Sequence, residues 1–392
     1  MTVYLDHAAT SPLRAEARDA WLAAAAAGGN ASSIHAAGQG ARRLLEEARE
    51  RLAAVVDCDP VEVVFTSGGT ESVNTALKGL WRSRPEATDA IVLPDGEHHA
   101  TLDAVAALAA TEGAHVRPVG LDPVGRIDPA QLGAAASGAA LATALVAQNE
   151  VGTVNDAAAI AAACAAAGTA LHLDAVAAFG HVPVRFAGWR ADAAPGAGLV
   201  ALSVSAHKVG GPVGVGALVV ARSARLSPLL HGGGQQRALR AGTQDVAGAS
   251  AFAVAAELAG AERDAEAVRL RALAARLWRG IRAAVPDAEL LGDPEERIPG
   301  NVHVLFPGAA GETLLFLLDQ AGVSVSTGSA CQAGVPEPSH VVLALGRTER
   351  EARSVLRLTL GRTSTDADVD AVLRALPDAH ARAAAAAARA AR

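Results

Sequence analysis

Leu199-Val200-Ala201-Leu202-Ser203-Val204-Ser205-Ala206-His207-Lys208 passes from an apolar run into a polar turn that ends on a lysine. The apolar part reads as a strand over 200–204, and the lysine follows directly after its end. The chain has two lysines, Lys78 and Lys208, against 32 arginines. A solvated cation tolerates exchange to arginine. An amine that must lose its proton and attack a carbonyl does not, because guanidinium stays charged at any ordinary pH. Lys208 is therefore the candidate for Schiff-base chemistry. Lys78 follows Asn74-Thr75-Ala76-Leu77 on a helical stretch and reads as a surface or supporting cation.

The same strand-then-motif pattern recurs on both sides of this stretch. Between about residues 60 and 220, seven strands are predicted, at 61–65, 91–94, 116–119, 144–147, 171–174, 200–204 and 216–220. Helical patterns fall between several of them, at 71–82, 101–110 and 157–167. Such alternation predicts an α/β fold with a mainly parallel sheet and helices on both faces. Ligands in such sheets bind outside the carboxyl ends of the strands. From about residue 245 the pattern changes to a long helix through Leu270, Leu273, Leu277 and Ile281. It continues as strand 302–306, helix 313–321, strands 323–326 and 355–360, and a final helix after Ser364. This second pattern reads as a smaller α+β unit, with the Ala/Arg tail 379–392 as a fraying helix.

Composition excludes several function classes. Apolar residues make up 51% of the 392, but nearly half of these are alanine and no run is long enough to predict a membrane span. The start, MTVYLDHAATSP, has neither a basic nor an apolar signal region, so no secretory signal is expected. A net charge of −7 gives no electrostatic reason to bind nucleic acid or anionic lipid. The three cysteines lie far apart with no CxxC pair, which argues against a disulfide framework or a cysteine zinc site and points to a reducing cytoplasm. Cys58 stands between Asp57 and Asp59, which disfavour a thiolate, and Cys164 is an apolar filler in an alanine helix. Cys331 lies in the Gly/Pro-punctuated stretch Ser326 to Pro336, a loop able to carry a mobile nucleophile.

The remaining motifs fit one kind of chemistry. Thr66-Ser67-Gly68-Gly69-Thr70-Glu71-Ser72 joins a strand to a helix, and its amides and hydroxyls can hold an anion. It is not a nucleotide P-loop, since the GK[ST] ending is missing. Asp174 ends the strand His172-Leu173-Asp174, where a carboxylate could keep a pyridinium nitrogen protonated. A capping role is the plain alternative, and His172 with Asp174 lacks a third ligand for a metal site. In Glu97-His98-His99 a histidine could stack on a ring and move protons. Asn149, in Gln148-Asn149-Glu150-Val151-Gly152, can bond a ring hydroxyl or a carboxylate. The loop His231–Gly234 leads to Arg237–Thr243, a second anion-binding type of segment. Arg357, on the apolar strand Val355–Leu360, suits bidentate carboxylate recognition. Together these residues make a complete pyridoxal phosphate site.

At this point the chain resembles the cysteine desulfurases, in the class V aminotransferase group of fold-type I pyridoxal phosphate enzymes. The resemblance runs from Tyr4-Leu5-Asp6-His7-Ala8-Ala9-Thr10 through SGGTES, EHHATLD, QNEVG, HLDA, SAHKVGGPVGVGAL, HGGGQQRALRAGT and STGSACQAGVPEPSH to Leu356–Arg362. It implies a large cofactor domain, 14–255, and a small domain, 1–13 with 256–392, carrying the cysteine loop at about 326–338. It implies Lys208 as the Schiff-base lysine. The phosphate would be held by Gly69, Thr70, Ser205 and His207, with Thr243 reaching it from the partner of a homodimer. His98 would be the stacking, proton-moving histidine, Asp174 the ring-nitrogen partner, and Asn149 a cofactor and substrate contact. Arg357 would bind the substrate carboxylate and Cys331 would be the nucleophile. The implied reaction removes sulfur from L-cysteine to give L-alanine and a persulfide on Cys331, for a sulfur-acceptor protein in iron–sulfur cluster assembly or tRNA thiolation. A selenocysteine lyase or other carbon–sulfur lyase, or a degenerate non-catalytic assembly partner, are the alternatives. Three positions depart from the family pattern. Ala177 replaces the usual glutamine that bonds the ring hydroxyl, Ala206 a glycine and Val213 a lysine.

Overall fold

The computed structural model describes residues 3–328 and 337–390. In chain order the strands are β1 (Val3–Tyr4), β2 (Val63–Thr66), β3 (Ala90–Pro94), β4 (His115–Val119), β5 (Leu141–Leu145) and β6 (Ala170–Asp174). They continue as β7 (Gly198–Ser205), β8 (Gly216–Val220), β9 (Glu289–Leu290), β10 (Asn301–Leu305), β11 (Val323–Ser324) and β12 (Val355–Thr359). Seven of them form one sheet in the order β4-β3-β5-β6-β7-β8-β2. Pairing is parallel from β4 to β7. It is antiparallel for β7 with β8 and β8 with β2.

The antiparallel edge has a local cause. Parallel neighbours need a crossover element, usually a helix. Between Ser205 and Gly216 there is only a single 3₁₀ turn, Ala206–Lys208, and a glycine-rich link, so the chain folds straight back beside β7. Lys208 lies on that return. Strand 61–65 was expected to begin earlier than it does, because Pro60–Glu62 is a 3₁₀ turn and pairing begins at Val63. Helix 101–110 extends back to His99, where His98 caps it.

The main core packs both faces of this sheet and includes Trp81, Phe179, Phe186 and Phe252, all with essentially no exposure. A second core gathers on a three-stranded antiparallel sheet, β12-β10-β9, and includes Leu5, Phe306, Leu314, Leu356 and Val372. One helix, Val246–Ala284, serves both: Ala249–Ala259 enter the first core and Leu270, Leu273, Leu277 and Ile281 the second. The last helix, Asp366–Ala390, is held by Val369, Val372 and Leu376, and by Ala379 and Ala383 within the alanine tail. Among the described residues no helix is long and apolar enough to cross a membrane.

Candidate active site

Five strand ends converge on one cavity of about 320 Å³. Its walls include His98 after β3, Asn149 after β5, Asp174 at the end of β6, and His207 and Lys208 after β7. Gly69 and Thr70, following β2, line it too. The strands that run the same way, β2 to β7 without the reversed β8, send their trailing loops to one side of the sheet, which is why motifs 139 residues apart along the chain, from Gly69 to Lys208, meet here.

The turn after β2 is shaped for close approach. Gly68 sits at φ 150°, and a Cβ on Gly69 would lie 2.8 Å from Cγ2 of Val176. The helix Gly69–Arg82 starts at this point, so its first amides open towards the cavity. Glu71 braces the turn by accepting from Ser67 N at 2.7 Å and from Arg240 Nε at 3.0 Å. Burial pushes its carboxyl up, but the bonds from Arg240 and Ser67 outweigh this and hold it below the usual range. Arg240 thereby ties the glycine-rich 231–243 segment to the turn. Thr243 on that segment is exposed and does not line the cavity within this chain.

Asp174 is 3% exposed, and its Oδ1 accepts from Val176 N at 2.9 Å. Burial raises its carboxyl to about 6, against the lowering effects of that bond and of Lys208. Beneath it, His172 is fully buried between Thr143 Oγ1 at 2.9 Å and Ser203 Oγ at 2.8 Å. These two hydroxyls account for both ring nitrogens, so His172 is a satisfied core histidine. Glu97 accepts from Leu145 N at 2.8 Å through Oε1 and is pushed up to about 8, by burial first and then by Asp174.

His98 Nδ1 accepts from Ala100 N at 3.1 Å, capping the helix His99–Glu112. Burial, then the Lys208 charge, holds its imidazole down to about 4. His207 is likewise lowered to about 4 by burial and Lys208. Lys208 Nζ donates to Ala8 O at 2.5 Å and Ala9 O at 3.1 Å, which joins the N-terminal segment to the site. Ala177 lines the same cavity, and with Asn149 and Lys208 it also lines an adjoining one of about 30 Å³ walled by His7 and His181.

Among the described residues, Asn149 Oδ1 on the cavity wall and Ser205 Oγ at the end of β7 are buried without a partner. Buried polar groups are normally satisfied. A glycine turn opening a helix, two buried polar atoms without a described partner, a strand-end carboxylate and a lysine amine are the donors and acceptors that a phosphorylated pyridine aldehyde requires, so the residues fit pyridoxal phosphate.

Arg357 does not line this cavity. Its side chain, 3% exposed, donates from Nη1 to Asn149 O at 2.9 Å and pairs through Nη2 with Asp6 Oδ1 at 3.2 Å. Cys331 lies outside the described residues, as do 329–336 as a whole. The residues flanking them are described. Ser339 Oγ donates to Glu150 Oε2 at 2.5 Å, and a Cβ on Gly328 would meet that same oxygen. His340 Nε2 is 2.9 Å from Glu97 O, and its ring lies 4.8 Å from that of His99. Sequence reasoning overlooked Asp6, Glu97, Glu150, Ser339 and His340. Each stands inside or beside a quoted motif, which was the available signal. The other two cysteines are poor nucleophiles: burial, then Glu62, Asp59 and Asp57, raises the Cys58 thiol, and burial raises Cys164 to about 12.

Residues 3–372 match the family described as aminotransferase class-V. The IscS-like cysteine desulfurase of Mycobacterium tuberculosis is 45% identical over 387 residues, covering 97% of this chain and 96% of that protein. The cysteine desulfurase of Gluconacetobacter diazotrophicus is 39% identical over 378 residues, 96% of this chain and 92% of that one. Among solved structures, a NifS-like protein superposes with a TM-score of 0.87 at 30% identity, covering 96% of this chain and 99% of its own. SspA in complex with cysteine gives 0.78 at 28% identity, over 92% and 99%.

Proposed function

Because the chain belongs to the class-V aminotransferases, we infer that it is a pyridoxal phosphate-dependent cysteine desulfurase acting on L-cysteine. The observation that carries this reading is Lys208, on the return from β7, facing one cavity with Asp174, His98 and the turn at Gly69. When bound, pyridoxal phosphate supplies an electron-withdrawing ring that lets bonds at the amino-acid Cα and Cβ break.

In this reading Gly69, Thr70, Ser205 and His207 hold the phosphate, with Thr243 arriving from the partner subunit of a homodimer. Asp174 holds a proton on the ring nitrogen, and Asn149 contacts cofactor and substrate. Lys208 would hold the cofactor and supply the amine that moves the Cα proton. His98, on the cavity wall, would lie against the cofactor and, as a neutral imidazole, exchange protons at Nε2. Arg357 takes the substrate carboxylate. The Cys331 thiolate attacks the sulfur of L-cysteine, and the C–S bonding pair stays on carbon and is protonated to the methyl of L-alanine. The sulfur remains on Cys331 as a persulfide and passes to an acceptor protein for iron–sulfur cluster assembly or tRNA thiolation. The reaction belongs in the cytoplasm, where thiols stay reduced. A division into 14–255 and 1–13 with 256–392 would place the cofactor in the first unit and the cysteine loop in the second.

The test is Lys208→Ala. It should abolish L-alanine release while the protein stays folded, and normal turnover by this variant would refute the assignment.

A further inference from the structure

A buried guanidinium needs a counter-charge, and that of Arg357 comes from the other end of the chain. Nη2 pairs with Asp6 Oδ1, Nη1 donates to Asn149 O, and Nε is buried without a partner among the described residues. Asp6 is the more open member of the pair, with its side chain 22% exposed against 3% for Arg357. Its backbone is firmly placed: Asp6 O accepts from Tyr4 OH at 3.0 Å and from Ala9 N at 3.0 Å, and Asp6 bridges to Thr359 beside Arg357. A fixed main chain thus presents a carboxylate on the more open side of the pair. Arg357 itself is kept off the cavity wall, where Asn149 stands instead.

We propose that Asp6 is the resident counter-ion of Arg357, a specificity-tuning residue whose carboxylate an incoming α-carboxylate must displace. This rests on the reading of Arg357 as the carboxylate-binding residue. Asp6 cancels the guanidinium charge while the site is empty of substrate. It therefore makes an amino acid compete for donors already in use, whereas an amine without a carboxylate meets no such competition. Only the bond to Nη2 changes hands, so Asn149 O continues to orient the guanidinium.

The experiment compares the holoenzyme with its Asp6→Asn and Arg357→Gln variants, measuring calorimetric dissociation constants for L-alanine and ethylamine. Asp6→Asn should bind L-alanine roughly tenfold more tightly, the size of one charge-assisted bond, and ethylamine within about twofold of the parent. Unchanged or weaker L-alanine binding overturns the proposal, as does equal tightening of both ligands, which would indicate general loosening. Asp6→Ser provides the same comparison if Asp6→Asn does not fold, and Asp6→Glu, which keeps the charge, should bind L-alanine like the parent. Arg357→Gln should weaken L-alanine alone. If it does not, the role given to Arg357 fails first; if it does while Asp6→Asn shows no tightening, only the role of Asp6 fails.

Discussion

His98 accepts through Nδ1 from the backbone amide of Ala100 at 3.1 Å, which dictates where its proton sits. A neutral imidazole whose Nδ1 is an acceptor carries hydrogen on Nε2. Burial and Lys208 hold the ring at about 4, so it remains neutral across the physiological range. His98→Ala should lower the rate of L-alanine formation by about 10²–10⁴-fold, the usual scale of a lost proton-transfer group. Cofactor stoichiometry should stay near that of the parent. Steady-state rates and bound-cofactor absorbance, measured together, check both parts.

Ala177 leaves open space where the cavity meets its smaller neighbour beside Lys208 and Asn149. Ala177→Gln should supply the missing hydrogen bond and tighten pyridoxal phosphate binding by about fivefold, equivalent to ~1 kcal/mol. Titration of the cofactor-free protein measures it. Weaker binding would mean that the space is needed.

Ser339 does two jobs with one hydroxyl, donating to Glu150 and accepting from Val342 N at 3.1 Å as the cap of helix His340–Ala344. Ser339→Ala should cost about 1–3 kcal/mol in denaturant unfolding, from the lost cap and an unpaired buried carboxyl. A smaller change would show that Glu150 finds another partner.

Buried ionisable groups set a pH optimum for stability. Burial lowers His7, His98, His181 and His207 to about 4, and His172 and His303 to about 3. Below the ordinary 6.5 the unfolded chain binds protons that the folded one refuses, so these histidines make stability fall as pH drops from 6.5 towards 4. Burial raises Glu97 to about 8, Glu150 to about 7 and Asp174 to about 6. Here the folded state holds the extra proton, so stability falls as pH rises through those values. The histidines outnumber the acids below 6.5 and only acids remain above it. Melting of the cofactor-free protein should therefore peak near pH 6.5 and decline towards both 5 and 8. A steady rise to pH 8 would contradict this.

The sheet was legible because each strand is a short apolar run ending in polar or glycine residues, so all seven were placed to within a few residues. Direction was harder. Nothing in Leu199–Lys208 says that the following link is too short for a crossover, and the antiparallel edge was missed. The helix Ala15–Ala27 escaped because its alanine-rich faces carry little apolar contrast, whereas Ala36–Val56 was overlooked although Ala41, Leu45, Ala48, Leu52 and Val56 mark one buried face at helical spacing. At the site, residues that follow strands could be read from order alone. The pairing of Asp6 with Arg357, 351 positions apart, could not, because it depends on how the N-terminal segment lies across β12.

The most direct test is mass spectrometry of the holoenzyme after exposure to L-cysteine without an acceptor. The account predicts a gain of one sulfur atom on the peptide bearing Cys331, absent in Lys208→Ala, with Cys58 and Cys164 unmodified. An unmodified Cys331 alongside continued L-alanine release, or the added sulfur on either other cysteine, would contradict it.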